Sequence, residues 1–281
     1  DNVAMIYGGA CSAETLAGGK IAQAAKVFML SAVSSAPQVS EIGDYVYRYY
    51  SDSIAAKQVA EFLNEKSKNI AIVSETTDFA QGFANAFKAN FKWSIGYETT
   101  FNTEEKDFNI IAKNLAAKAN DIDFILISNQ SNTTMISIAK AMINNGVWDK
   151  FKNKMFFTVG SDAADVKEAL GDKREGLYSY NAADLTKLGN NLQMINDFDK
   201  EHPIKSDKNY VVIEIEAMQA IIDGIKSGNT TSDSLKAYFD GFSKKNRDGI
   251  FGPYHFNTNR DVEGIHYIMT QVQNWSVTTI E

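Results

Sequence analysis

IAIVSETTDFAQGFANAF, residues 70–87, runs a short apolar strand straight into an amphipathic helix. Ile70-Ala71-Ile72-Val73 has no polar interruption, as expected of a strand covered on both faces. Phe83, Ala84 and Phe87 then fall on one helical face. Upstream, Ala55, Val59, Phe62 and Leu63 are also at helical spacing, with Asp52 or Ser53 placed to cap that helix. Downstream, Phe91, Trp93, Ile95 and Tyr97 alternate with period two, the mark of a strand. Phe108, Ile111, Ala112 and Leu115 make a helix, residues 122–127 a nearly continuous apolar strand, and Met135, Ile138, Ala139, Met142 and Ile143 a helix closed by Asn145-Gly146. Residues 155–159 form the next strand. This alternation predicts a doubly wound parallel sheet. Such sheets bind ligands at the carboxyl ends of their strands, so the loops after Val73, Ile127 and Val159 are where function is expected.

The N-terminal stretch repeats the logic on a smaller scale. Residues 3–7 read as a strand, Gly8-Gly9-Ala10-Cys11-Ser12 as a tight turn into a helix, residues 27–30 as a second strand, Ser31 to Pro37 as a loop, and residues 45–50 as a third strand. Residues 184–242 read as helical, with Leu188, Leu192, Ile195 and Phe198 on one face and a further helix over 213–225. Residues 254–279 return to strands, turning at Asn257-Thr258-Asn259 and Gln273-Asn274. Two or three strands make a small first sheet.

At 281 residues, 44% hydrophobic and 22% charged, the chain has the composition of an ordinary globular protein of one large or two medium domains. A net charge of −7 argues against nucleic acid as a partner, because phosphate binding needs a basic patch. No apolar run reaches the ~18 residues that would suggest a membrane span. The chain opens at Asp1 without a Met, as a processed, trimmed or fragmentary chain would, and shows no signal peptide. Cys11 is the single cysteine, so no internal disulfide and no cysteine cage can form. His202, His255 and His266 have no metal-ligand spacing. Neither a dinucleotide fingerprint nor a phosphate-binding lysine loop occurs, and Cys11-Ser12 lacks the glycine elbow of a serine hydrolase. No cofactor and no metal is expected.

Several segments together resemble the Leu/Ile/Val-binding protein family, the type I periplasmic solute-binding proteins of ABC transporters. They are Gly9-Ala10-Cys11-Ser12; Ser31 to Pro37; Ile72 to Gly82; Lys106-Asp107-Phe108; Asp121-Ile122-Asp123-Phe124; Gly160-Ser161-Asp162; Glu175-Gly176-Leu177; and Gly252-Pro253. They occur in family order from about residue 3 to the end, which is more specific than any one of them. The resemblance implies an α/β fold: two doubly wound Rossmann-like lobes joined by a three-strand hinge, the first lobe incomplete. The family's first segments have no counterpart here and the first sheet is small, so roughly 60 residues, one or two strand–helix units, are expected to precede Asp1 in the native protein. One lobe would be residues 1–51 with 181–253, the other 52–180 with 254–281. The chain would cross near Ser51, Tyr180 and Pro253, and solute would bind in the cleft and close it.

The resemblance also implies a ligand-binding set: Ser12, Val33, Ser34, Ser35, Phe79, Gln130 and Asp162, with no catalytic residue. Ser12 and Ser35 would donate hydroxyls to a ligand carboxylate, Ser12 at a helix N-terminus that favours anions. Val33 and Ser34 would contribute backbone. Asp162 would pair with an α-ammonium, its bland alternative being a helix N-cap. Phe79 and Gln130 depart from the family, which often has Tyr at both positions. Gln130 makes that wall more polar, favouring a polar amino acid or amide over a branched aliphatic one. The function expected is the extracytoplasmic or periplasmic substrate-binding component of an ABC importer, with or without a lipid anchor, its partners an amino acid and a membrane permease. The rival readings are a ligand-sensing ectodomain of the same fold and an amidase-type enzyme.

Overall fold

A computed structural model describes residues 3–182, 185, 188–204, 208–243 and 245–280. In chain order the elements are β1 (Met5–Tyr7), α1 (Ser12–Ala25), β2 (Phe28–Ser31), β3 (Val46–Arg48), α2 (Asp52–Lys66), β4 (Asn69–Glu75), α3 (Asp78–Asn90), β5 (Ser94–Phe101), α4 (Asn109–Lys118), β6 (Phe124–Ser128), α5 (Asn132–Asn144), β7 (Met155–Phe157), α6 (Ala164–Leu170), β8 (Tyr178–Asn181), α7 (Asn190–Glu201), α8 (Lys208–Lys226), α9 (Ser232–Asp240), β9 (Arg247–Gly249), β10 (Gly252–Phe256), β11 (Val262–Glu263), β12 (Ile268–Gln273) and β13 (Ser276–Thr279). The helical reading of residues 184–242 corresponds to α7, α8 and α9; its positions 184, 186, 187 and 205–207 lie outside the described residues.

The chain divides into two compact units, Asp1–Ser53 with Ala182–His266, and Ile54–Asn181 with Tyr267–Glu281. In the second unit one sheet has the order β13-β12-β8-β7-β6-β4-β5. Strands β4 to β8 are parallel, while β12 and β13 join antiparallel. The unbroken apolar runs are its centre: β4 and β6 are buried almost throughout and covered on both faces by helices. On the edge strand β5, inner and outer residues alternate, which is why its sequence reads with period two. Thr77 caps α3 by accepting the Ala80 N–H at 3.1 Å. Thr77→Ala is expected to cost about 1 kcal/mol of stability, read from a urea melt.

In the first unit β1, β2 and β3 are parallel and adjacent in that order, with α1 crossing from β1 to β2. A separate antiparallel group, β9, β10 and β11, belongs to this unit. This differs from the sequence expectation, which put residues 254–266 in the second lobe. The reason is packing across long separations. Tyr254 and Phe256 join Tyr47, Tyr49 and Phe239 in one aromatic cluster, with Tyr49 and Tyr254 bonded through their hydroxyls at 2.6 Å. Asp261 pairs with Arg48. The buried carboxylate of Glu216 on α8 is held by the Tyr254 hydroxyl at 2.8 Å, the Ile250 N–H at 2.6 Å and Arg247 at 3.2 Å, tying α8 to the β9–β10 hairpin.

Candidate functional site

Parallel strands align their carboxyl ends, so each unit presents one edge of loops. In the first unit these follow β1, β2 and β3. Gly9 is the pivot of the first loop. Its φ is +29°, and a Cβ there would lie 2.2 Å from Thr15 Oγ1, so only glycine fits without rearrangement. Its carbonyl accepts the hydroxyls of Ser31 and Ser34, each at 2.8 Å, and of Thr15 at 3.2 Å. Ser34 is therefore spent inside the turn, on the Gly9 carbonyl and the Thr15 hydroxyl.

Ser12 is the first residue of α1, and Cys11 holds the capping position. Ser12 Oγ accepts the N–H groups of Ser35 at 3.3 Å and Ala36 at 3.1 Å. With both lone pairs engaged, its own proton is left to donate, the state that suits an anion. The turn's other donors are partly used. Glu14 Oε2 accepts the N–H groups of Ala10 and Cys11, both at 3.1 Å, so two of the donors expected for an anion here already face a carboxylate. Ser35 is buried, and Val33 is half-buried in the same loop.

Arg48, at the end of β3, organises this loop from behind. It is 1% exposed. Its Nη1 donates to the carbonyls of Ser35 at 2.7 Å and Ala36 at 2.6 Å, its Nε to Asp261 at 2.5 Å, and its Nη2 to Ser40 Oγ at 2.7 Å. Asp52 follows. The sequence suggested it as a cap, but α2 begins with Asp52 itself, and its carboxylate is fully buried beside the Ser35 side chain. Its N–H donates to the Ser35 carbonyl at 2.9 Å. Burial pushes its carboxyl up to about 7, against the Ser35 hydroxyl and the Arg48 guanidinium, which favour the charged form.

In the second unit the loops follow β4, β6 and β7. Phe79, half-buried, lies in the first turn of α3. Gln130 is exposed two residues beyond β6, and its N–H donates to Glu75 Oε2 at 2.7 Å. Asp162 follows β7, and here the structure modifies the expectation. Its side chain is 54% exposed and pairs with Lys167 at 2.6 Å, with the buried Arg174 at 4.0 Å. It is not a cap either, since Ala163 holds that position on α6. The structure thus joins Ser12 to the Ser34–Ser35 loop and Gln130 to Glu75, while Asp162 sits with two cations. Arg48, Asp52 and Glu75 were missed as site residues. An acid closing the buried strand at Glu75, just past the apolar run of residues 70–73, was the available signal.

Among the described residues no group of three or more His, Cys, Asp or Glu side chains could hold a metal ion, and no helix is long and apolar enough to cross a membrane.

A family model described as periplasmic binding protein matches residues 1–274. Among curated protein sequences none matches. Among solved structures, a leucine-binding protein LivK from Thermotoga maritima superposes with a TM-score of 0.83 at 21% identity, covering 99% of this chain and 79% of that one. The branched-chain amino acid transporter substrate-binding protein LivJ from Streptococcus pneumoniae, solved with isoleucine, gives 0.82 at 18%, over 99% and 79%. An ABC transporter solute-binding protein from R. palustris, solved with benzoate, gives 0.82 at 14%, over 99% and 76%. At such identities these likenesses establish the fold alone.

Proposed function

The chain belongs to the periplasmic binding protein family, a family of binding proteins rather than enzymes, and from that premise we propose that it captures an amino acid outside the cytoplasm for delivery to the permease of an ABC importer. The observation that carries this reading is Ser12, whose hydroxyl accepts two backbone N–H groups and so has its proton to give to an acid group. Ser35 supplies a second hydroxyl in the same loop. The second unit presents the opposite chemistry at the ends of β4 and β6, where the buried carboxylate of Glu75 accepts the Gln130 N–H. The exposed amide of Gln130 favours a polar side chain or an amide.

Ser12→Ala is expected to weaken binding by about 1–3 kcal/mol, the worth of a hydrogen bond to a charged group. Equilibrium titration against wild type measures it; equal affinities would remove Ser12 from the site. The function itself is tested by thermal stability in the presence of the common amino acids, short amides and benzoates. At a ligand concentration of 100 times the dissociation constant, the gain is about 2.7 kcal/mol. Stabilisation by one class of amino acids supports the reading. Stabilisation by benzoates alone, the ligand class of the R. palustris neighbour, contradicts it.

A further inference from the structure

The second unit holds an acid at its binding edge that has no cation. Glu75 is the last residue of β4 and 4% exposed. One oxygen accepts the Gln130 N–H at 2.7 Å, and no Lys, Arg or His among the described residues pairs with the carboxylate. Its place in the fold is distinctive. Strand β4 has β5 on one side and β6 on the other. The chain leaves β4 through α3 to β5, then returns through α4 to β6. This is the point where strand order reverses, and an open α/β sheet leaves a crevice there between the carboxyl ends. Glu75 stands on one bank and Gln130, bonded to it, on the other.

A second acceptor lies beside them. Asn129 is fully buried; its N–H donates to Thr158 Oγ1 at 2.9 Å and its Nδ2 to the Ser131 carbonyl at 2.7 Å, but its Oδ1 receives no donor. The crevice therefore combines one buried charged acceptor without a counter-charge and one buried neutral acceptor without a donor. Both are costly to leave so. An ammonium group, with three donors and a positive charge, answers both. Asp162 has no such need, because Lys167 and Arg174 already face it.

We propose that Glu75 is the acid that binds the ligand's amino group, with Asn129 Oδ1 as a further acceptor, and that Asp162 is not. This rests on the amino-acid reading above and names the residue that makes the amine obligatory. Glu75→Gln retains an oxygen for the Gln130 N–H and removes only the charge. Wild type, Glu75→Gln and Asp162→Asn are titrated with L-glutamine and L-leucine, and with their des-amino counterparts glutaramate and 4-methylpentanoate. Loss of about a hundredfold in amino-acid affinity is expected for Glu75→Gln, as for a charge-assisted pair. Its affinity for the des-amino acids should stay within a factor of three, and Asp162→Asn should match wild type for both. Wild-type affinity of Glu75→Gln for the amino acids, or equal weakening toward amino and des-amino acids, would overturn the proposal and leave Glu75 as a tie for the Gln130 loop. Binding of des-amino acids but not amino acids by wild type would instead overturn the amino-acid reading, and Glu75's role with it.

Discussion

Arg48→Ala is expected to lower the free energy of unfolding by about 3–5 kcal/mol, the cost of stripping one partner from a buried ion pair. The loss has several parts. Asp261 stays buried without its cation, the carbonyls of Ser35 and Ala36 lose their shared donor, and Ser40 loses Nη2. Arg48→Lys should recover only part of it, because an ammonium cannot reproduce the planar fork that reaches Asp261 and two carbonyls together. Chemical denaturation with equilibrium analysis measures both variants. A change below about 1 kcal/mol for Arg48→Ala would mean that the network contributes little beyond its desolvation cost. Because the same guanidinium sets the carbonyls of the Ser35 loop, ligand affinity should fall with stability in both variants.

A comparable effect is expected from pH at Asp52. Its carboxyl is raised to about 7 when folded, against about 3.9 in an unfolded chain. The unfolded state therefore holds fewer protons at this residue across that window, and stability falls as pH rises. The contribution is fully present below about pH 4 and lost as pH passes 7. A shift of about three units corresponds to about 4 kcal/mol. Asp52→Asn keeps the shape and has no proton to lose. Relative to wild type it should gain stability steadily from pH 4 to pH 8. The difference between the two profiles cancels the other carboxylates, such as Asp44, Asp199 and Asp223, whose pKa values are lowered by hydrogen bonds and whose contribution runs the other way at lower pH. Parallel profiles would show that Asp52 titrates normally.

The sheet of the second unit was legible because its strands announce their burial. Residues 70–73 and 124–127 have no polar residue to place in solvent, and β5 alternates because it lies at an edge. The first unit was legible only in part. The β9–β11 group is placed by Tyr254, Phe256 and Asp261 meeting Tyr47, Tyr49 and Arg48 some 200 positions earlier, and no local pattern encodes such a meeting. The site divides the same way. The strand-to-helix turn marks Ser12, and the serine-rich loop before Pro37 marks Ser35, since glycine, hydroxyls and proline act on their immediate neighbours. Asp52 and Glu75 owe their interest to what surrounds them after folding, the burial of a carboxylate, and periodicity says nothing about that. Asp162 shows the converse. The sequence marks a loop acid, but whether it faces a ligand or Lys167 depends on how the loop after β7 is turned.

Calorimetric titration with the common L-amino acids, followed by the des-amino and decarboxylated counterparts of whichever binds, tests the central claim most directly. The account predicts saturable one-to-one binding of at least one amino acid and a loss of at least about tenfold on removing either its amino or its acid group. No saturable heat from any amino acid, or undiminished affinity for a counterpart lacking the amino group, would contradict it.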